Sequence, residues 1–255
     1  LRIIWTDLSV KTLAIMEAYM HLSKRLTLTA ECVTKGNVVA DIGCDHAYTS
    51  IYLMKEGIAG HIIAADVNDG PIERARANIN ENRLNDFIEA RKSDGLTEFD
   101  ISDGIETILI SGMGGNLMID ILKSNNAVYN NAKELILQPQ SDIARVRHFL
   151  HDTGFKIVYE KMVYEEEKYY TIIKACHGKE QYSYEYEYIF GQYLINNPDN
   201  VCINYMKGLH ASNVKVIAHL RNMDEEALSA RINELEKDND VIEMLLMHMQ
   251  KEEGL

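Results

Sequence analysis

The chain has 255 residues, with 26 Lys and Arg against 39 Asp and Glu, and a formal net charge of -13. That length suits one well-buried domain of about 150 residues plus an appendage, and the acidity excludes broad, nonspecific nucleic-acid binding, which rests on many Lys and Arg releasing counterions from phosphates. No apolar run approaches the roughly 18 residues of a membrane span, and four widely spaced cysteines without a Cys-x-x-Cys pair exclude a disulfide framework and fit a reducing, cytoplasmic protein with no metal centre.

Residues 1–19 lack an initiating Met and interrupt their apolar residues with Asp7, Lys11 and Glu17, unlike a signal peptide. They are expected to form an N-terminal extension outside the fold. Lys24 and Arg25 follow; with Arg74, Arg76, Arg83, Arg91 and Lys92 they are the basic residues from which a local RNA-contacting patch would be drawn.

From Val38 to about Cys176, short β-branched runs alternate with amphipathic stretches, the pattern of a parallel sheet covered by helices. "VVADI" (38–42) predicts the first strand, and Gly43 lets the chain turn sharply after it. Asp41 is placed to order the loop or to reach the amino group of a ligand. The G-x-G-x-x-G spacing of dinucleotide sites fails here, because Asp45 and Tyr48 occupy the later glycine positions. A carboxylate in that loop repels pyrophosphate. S-adenosylmethionine has no phosphate and carries a sulfonium and an ammonium, so Asp41 and Asp45 attract it, and the loop predicts that cofactor.

A helix is expected over Ala47–Lys55, then a strand "HIIAAD" (61–66) ending in Asp66, 23 residues after Gly43. That is close to the roughly 20-residue interval at which an acid meets a ribose hydroxyl pair. Pro71 suits the first turn of a helix over Pro71–Arg83. The strand "FIEAR" (87–91) runs into "SDGL", where Asp94 is placed for an adenine amino group and Gly95 for the turn. The strand "TILIS" (107–111) delivers "SGMGG" (111–115) to the edge where ligands bind in such sheets. Gly112, Met113 and Gly114 are predicted beside cofactor or a flat substrate. The absence of an Asn/Asp-Pro-Pro-aromatic run there points away from methylation of an exocyclic nitrogen.

A helix over Asn116–Asn125, a strand "ELILQ" (134–138), a helix over Ser141–His151 and a hairpin over 155–176, turning around Glu165–Lys168, complete the pattern. Five parallel strands and a hairpin predict an α/β fold with a Rossmann-like class I methyltransferase sheet over 20–177. "YSYEYEYIF" (182–190) alternates like a strand yet leads into helical sequence.

Residues 178–255 are expected to form a C-terminal helical, coiled-coil-like domain. Leu228, Ile232, Leu235, Asn239, Ile242, Leu246 and Met249 recur at heptad spacing. Tyr205, Leu209, Val216 and Leu220 upstream are expected to pack against them in a helical hairpin, with the break near Asn222–Glu225.

The ordered set "LSKRL", "ADIGCDHAYTS", "DVNDGP", "SDGL", "SGMGG" and "LILQPQ" resembles the bacterial tRNA (adenine-N1)-methyltransferase family that modifies adenine 22 in the D-arm region, over about residues 20–250. Cys44 stands where that pattern has Ser, and Thr49-Ser50 where it has Leu-Pro. The resemblance implies S-adenosylmethionine as cofactor, held by Asp41, Gly43, Cys44, Asp66, Asn68, Asp94, Gly95, Gly112 and Met113. It implies tRNA as partner, with the helical arm helping to hold it, and Lys24, Arg25, Gly114, Gln138, Pro139 and Tyr169 or Tyr170 contacting substrate. Because N1 of adenine already carries a free lone pair, alignment is the main task. Tyr48 is then expected to stack on the extruded adenine, His46 to position it and Asp45 to supply negative charge. Two other readings stay open on residues alone: a methyltransferase for a small molecule or protein whose arm serves dimerisation, and a noncatalytic nucleotide-binding scaffold.

Overall fold

The computed structural model describes residues 22–223 and 228–252; the expected extension 1–19 and positions 224–225 of the expected helix break lie outside them. Seven strands, β1 (Val38–Ile42), β2 (His61–Asp66), β3 (Ile88–Lys92), β4 (Thr107–Met113), β5 (Glu134–Pro139), β6 (Phe155–Glu165) and β7 (Lys168–His177), follow the order β3-β2-β1-β4-β5-β7-β6. β1 pairs in parallel with β2 and β4, and β2 with β3. β6 and β7 form the antiparallel hairpin. The expected Rossmann-like sheet is therefore present, with strand starts within one residue of those read from the apolar runs. Among the described residues no helix is long and apolar enough to cross a membrane.

The chain divides into two compact units. One comprises the residues up to Ser111 together with Asp120–Ile136, and the other Gly112–Ile119 together with the chain from Leu137 onward. The division falls within β4 and β5.

In the first unit the parallel strands are covered on both faces, which is why their sequences are almost unbroken Val, Ile and Ala. Val39, Ile62, Ala64 and Leu109 pack with Ile51 and Leu53 of α2 (Tyr48–Lys55) and with Ile72, Ala75 and Ile79 of α3 (Asp69–Glu81). Those last three share one stripe of the helix, and each buried Ile or Leu side chain contributes about 1.5–3 kcal/mol. At the opposite end of these strands from their carboxyl termini lies a buried carboxylate, Glu134. It accepts the Thr34 backbone N–H (2.8 Å) and hydroxyl (2.6 Å), the Thr107 hydroxyl (2.8 Å) and the Asn37 amide (3.4 Å).

The second unit holds the hairpin, α6 (Ile143–Asp152), α7 (Glu185–Phe190), α8 (Gln192–Asn196) and two long helices, α9 (Asn200–Arg221) and α10 (Ser229–Glu252). α1 (Lys24–Glu31) opens the first unit, while α4 (Gly115–Lys123) and α5 (Asn126–Asn131) follow β4. Arg147 of α6 and Glu160 of β6 form a fully buried ion pair, Nε to Oε1 at 2.8 Å. The same guanidinium donates through Nη1 to the carbonyls of Tyr188 (2.6 Å) and Ile189 (3.0 Å), so one side chain ties α6, β6 and α7 together. Gly191 follows at φ 85°, where a Cβ would run into Glu160 Oε2 and the Arg147 guanidinium.

α9 and α10 lie antiparallel, joined by His210–Glu243 (2.8 Å), Asn213–Asn239 (3.1 Å) and Arg221–Glu236. The α10 seam runs through Leu235, Asn239, Ile242 and Met249 as expected, but Leu245 is buried in place of the expected Leu246, which is half-buried. The α9 seam differs from expectation: Cys202, Ile203, Met206, Asn213 and Ile217 are buried, Tyr205, Leu209 and Leu220 are half-buried, and Val216 is exposed. A search for purely apolar residues passes over Cys202 and Asn213, and so follows the neighbouring stripe. The Asn213–Asn239 hydrogen bond sets helix register at a cost in stability. Asn239→Leu, by leaving the Asn213 amide buried without a partner, should cost about 1–3 kcal/mol, and adding Asn213→Leu should recover most of it; thermal unfolding of the two variants checks this.

Candidate active site

β1, β2 and β3 run parallel, so the loops after them leave the first unit from one edge. The loop after β1 has three left-handed residues in five positions: Gly43 (φ 76°), Asp45 (φ 46°) and Ala47 (φ 57°). Left-handed alanine costs about 1–2 kcal/mol. Local bonds hold it there: the Ala47 N–H donates to the Cys44 carbonyl (2.7 Å), and the Asn78 amide donates to the His46 carbonyl (2.9 Å). The Gly43 and Cys44 N–H groups both donate to the Ala65 carbonyl, at 2.8 and 3.0 Å. This loop therefore keeps neither of those donors for a phosphate.

Asp41 is 3% exposed and accepts the Ser50 hydroxyl at 2.6 Å; burial lifts its carboxyl from 3.8 to about 6. Sequence reasoning missed Ser50. It stands where the family pattern has proline, and its hydroxyl ties the first turn of α2 to the end of β1. Burial, and then the carboxylates of Asp41, Asp66 and Asp45, push the Cys44 thiol far above its ordinary range. Cys44 is thus a core thiol that feels three carboxylates, and it belongs to the apolar cluster of Ala47 and Ile51. That charge pattern suits a cationic ligand.

Asp45 does not cap α2, whose N-cap is Ala47 without a side-chain bond. It pairs with Arg74 at 3.1 Å and lies 3.5 Å from His46 Nε2. The Arg74 contact, 29 positions away, had no signal in the local sequence. The His46 and Tyr48 rings stack in parallel, centroids 5.2 Å apart at 6°, and Tyr48 stays 39% exposed.

Asp66 ends β2 and accepts the Asn68 N–H (2.9 Å) and side-chain amide (3.4 Å) through Oδ1. Asn68 is the N-cap of α3 and makes no side-chain cap bond. The Ser93 N–H donates to the Asp66 carbonyl (3.0 Å), fixing the β2 and β3 ends against each other. Asp94 is exposed, and Gly95 (φ 59°) lies under Ile121 and Ser124, which leave little room for a Cβ. The first unit thus gathers Asp41, Gly43, Cys44, Asp45, His46, Tyr48, Asp66, Asn68, Asp94 and Gly95 at the carboxyl ends of β1, β2 and β3 and in the segments that follow them.

Gly112, Met113 and Gly114 belong to the second unit, where the glycines answer to packing. The Gly112 N–H donates to Gln138 Oε1 (3.1 Å), a Cβ on Gly114 would meet Ser141 Oγ at 3.1 Å, and one on Gly115 would meet the Ser141 carbonyl at 2.6 Å. A Cβ at Gly114 or Gly115 would thus crowd Ser141, so packing calls for glycine at both positions. Gln138 and Pro139, at the end of β5, are both buried. Gln138 braces the end of β4 instead of presenting its amide at the surface. Tyr169 and Tyr170 open β7, with Tyr169 38% exposed.

The expected basic patch is largely paired. Arg74 faces Asp45, Lys92 faces Asp69 (2.7 Å), and Arg91 is held by Asp103 (2.7 Å) and Glu89 (2.7 Å). Lys24 and Arg25 sit in the first turn of α1, whose N-cap is Ser23.

Residues 22–173 match the family described as methyltransferase domain. A Bacillus subtilis (strain 168) protein named tRNA (adenine(22)-N(1))-methyltransferase is 33% identical over 166 residues, 65% of this chain and 69% of that protein. The crystal structure of the B. subtilis M1A22 tRNA methyltransferase TrmK is 26% identical with a TM-score of 0.78, covering 89% of this chain and 99% of that one. The structure of Streptococcus pneumoniae Sp1610 in complex with S-adenosyl-L-methionine is 31% identical with a TM-score of 0.77, covering 89% and 100%.

Proposed function

The chain belongs to the tRNA (adenine(22)-N(1))-methyltransferase family, and from that premise we propose that it transfers a methyl group from S-adenosylmethionine to N1 of adenine 22 in tRNA, in the cytoplasm. The observation that carries the cofactor assignment is the β1 loop, whose Gly43 and Cys44 N–H groups are engaged by Ala65 and which carries the carboxylates of buried Asp41 and exposed Asp45 beside the end of β2 at Asp66. Such a loop attracts a phosphate-free cation and repels a pyrophosphate.

S-adenosylmethionine, when bound, supplies an electrophilic methyl group on a sulfonium. Asp66 is assigned the ribose hydroxyls, Asp94 the adenine amino group and the Asp41 carboxylate the amino-acid end. The acceptor nitrogen needs no deprotonation, so no general base is assigned. The work of the site is to hold nitrogen, methyl carbon and sulfur in line and to accommodate positive charge as it passes to the base. Tyr48, backed by the parallel His46 ring, offers the exposed face on which an extruded adenine stacks. Asp45, steadied by Arg74, adds negative charge beside it.

The test is transfer of labelled methyl from S-adenosylmethionine to unmodified tRNA, followed by nucleoside analysis. 1-Methyladenosine that maps to position 22 supports the reading; cofactor binding without methyl transfer to tRNA overturns it in favour of another acceptor. Tyr48→Ala is expected to lower methylation about ten- to hundredfold, on the scale of one base–aromatic stack, with cofactor affinity within twofold by calorimetry. Equal loss of both would make the ring structural.

A further inference from the structure

The second unit contains a cavity of about 440 Å³ lined by Gln140, Lys168, Tyr169, Tyr170 and Tyr205. Its volume falls within the roughly 300–1,000 Å³ typical of small-ligand pockets. Tyr169 is the middle ring of three: it lies 4.7 Å from Tyr164 at 46° and 5.1 Å from Tyr205 at 59°. Tyr164 and Tyr169 are cross-strand partners in the hairpin and stay 48% and 38% exposed, while Tyr205 reaches them from α9. Lys168 enters no ion pair among the described residues, and the turn carboxylates Glu165, Glu166 and Glu167 do not line the cavity. Gln140 adds an amide with donors and an acceptor, and its N–H is fixed on the Met113 carbonyl at 2.8 Å.

Exposed aromatic faces, an amide and one ammonium are the components with which proteins hold an unpaired nucleotide: rings for the base, the cation for its phosphate. The charge decides which nucleotide. N1 methylation leaves the target adenine cationic, and an ammonium in the same cavity would oppose that charge. A nucleotide that does not react keeps only its negative phosphate, which the ammonium favours.

We propose that this cavity is a second nucleotide subsite, taking an unpaired nucleotide of the tRNA substrate other than the methylated adenine, with its base against Tyr169 and Tyr205 and its phosphate on Lys168. The assignment rests on the tRNA reading above.

The test is steady-state methylation of an unmodified tRNA transcript by the full chain and its variants, with tRNA and S-adenosylmethionine varied separately. Tyr169→Ala should raise KM for tRNA about five- to hundredfold while kcat and KM for S-adenosylmethionine stay within twofold, and Tyr169→Phe should restore KM. Lys168→Gln should weaken tRNA binding and flatten its salt dependence, with the log–log slope smaller by about 0.7–0.9. Unchanged KM and an unchanged salt slope would overturn the subsite. A fall in kcat at constant KM would place the ring on the target adenine and overturn the assignment to a second nucleotide. If the unsubstituted chain forms 1-methyladenosine and these variants match it, this inference alone fails; if it puts no methyl on tRNA, the functional reading fails and takes the inference with it.

Discussion

Arg147→Ala is expected to cost about 3–5 kcal/mol of stability, the scale of a buried ion pair that loses one partner. The guanidinium is 1% exposed, and its removal strands the Glu160 carboxylate together with the carbonyls of Tyr188 and Ile189. Glu160 Oε2 already lacks a hydrogen-bond partner among the described residues, so no other donor replaces the lost one. In a chain of this size the midpoint of thermal unfolding should fall by on the order of 10 °C. Burial already holds the Glu160 carboxyl above its ordinary range, with Arg147 pulling the other way. Without Arg147 the upward shift grows, and protonation then favours the folded state. That relief is complete below the unfolded value of about 4.5 and is lost as pH rises through the raised folded value. The variant's deficit should therefore shrink from pH 8 to pH 5, as measured by denaturant unfolding at both. Arg147→Met with Glu160→Leu should recover only part of the loss, because no apolar side chain serves the two carbonyls.

Asp41→Asn is expected to move stability and cofactor affinity in opposite directions. Above pH 6 the ionised, buried Asp41 opposes folding, since its carboxyl titrates near 6 in the folded protein against 3.8 unfolded. Protonation of Asp41 stabilises the fold fully below 3.8, and that contribution disappears as pH rises through about 6. An asparagine keeps an acceptor for Ser50 without the charge, so the ligand-free variant should gain about 1–3 kcal/mol at pH 8. The lost charge should weaken S-adenosylmethionine binding by about 1.5–3 kcal/mol, roughly ten- to hundredfold. Affinity of the unsubstituted chain should decline as pH drops through 6, and that of the variant should stay flat over the same range. Calorimetric titration from pH 5 to 8 reads both; equal affinities at pH 8 would remove Asp41 from the cofactor's charge environment.

The sheet was readable because its parallel strands, covered on both faces, must be apolar throughout: "VVADI" and "HIIAAD" match β1 and β2 end to end. Helix interruptions were harder to read. The helix expected over Asn116–Asn125 is α4, but α5 after it had no signal in the sequence; Asn125 caps it by accepting the Val128 N–H (3.2 Å) while its amide donates to the Phe99 carbonyl (2.8 Å). "YSYEYEYIF" resolves into α7 because Glu187 Oε2 accepts the N–H groups of Ser183 and Tyr184, each at 2.8 Å. The tyrosine alternation gives no sign of that bond. In the candidate site, the residue types that attract a cation were legible, since charge is written in the sequence. Their partners, Ser50 for Asp41 and Arg74 for Asp45, depend on how the loop folds back, and the packing of "SGMGG" against Ser141 is likewise not written in the glycine run itself.

The Glu134 carboxylate also bears on the order in which the protein assembles. It joins Thr34 and Thr107 across separations of 100 and 27 positions, so these two bonds cannot form until β5 has been synthesised and inserted. Closing so long a loop must precede any reward from the contact, which slows folding. During synthesis, a chain that ends before Glu134 holds Asn37 and Thr107 at positions buried in the finished fold, with no carboxylate to receive them. The amino-terminal strands are then expected to remain protease-sensitive on the ribosome until β5 emerges, and to become protected together in one late step.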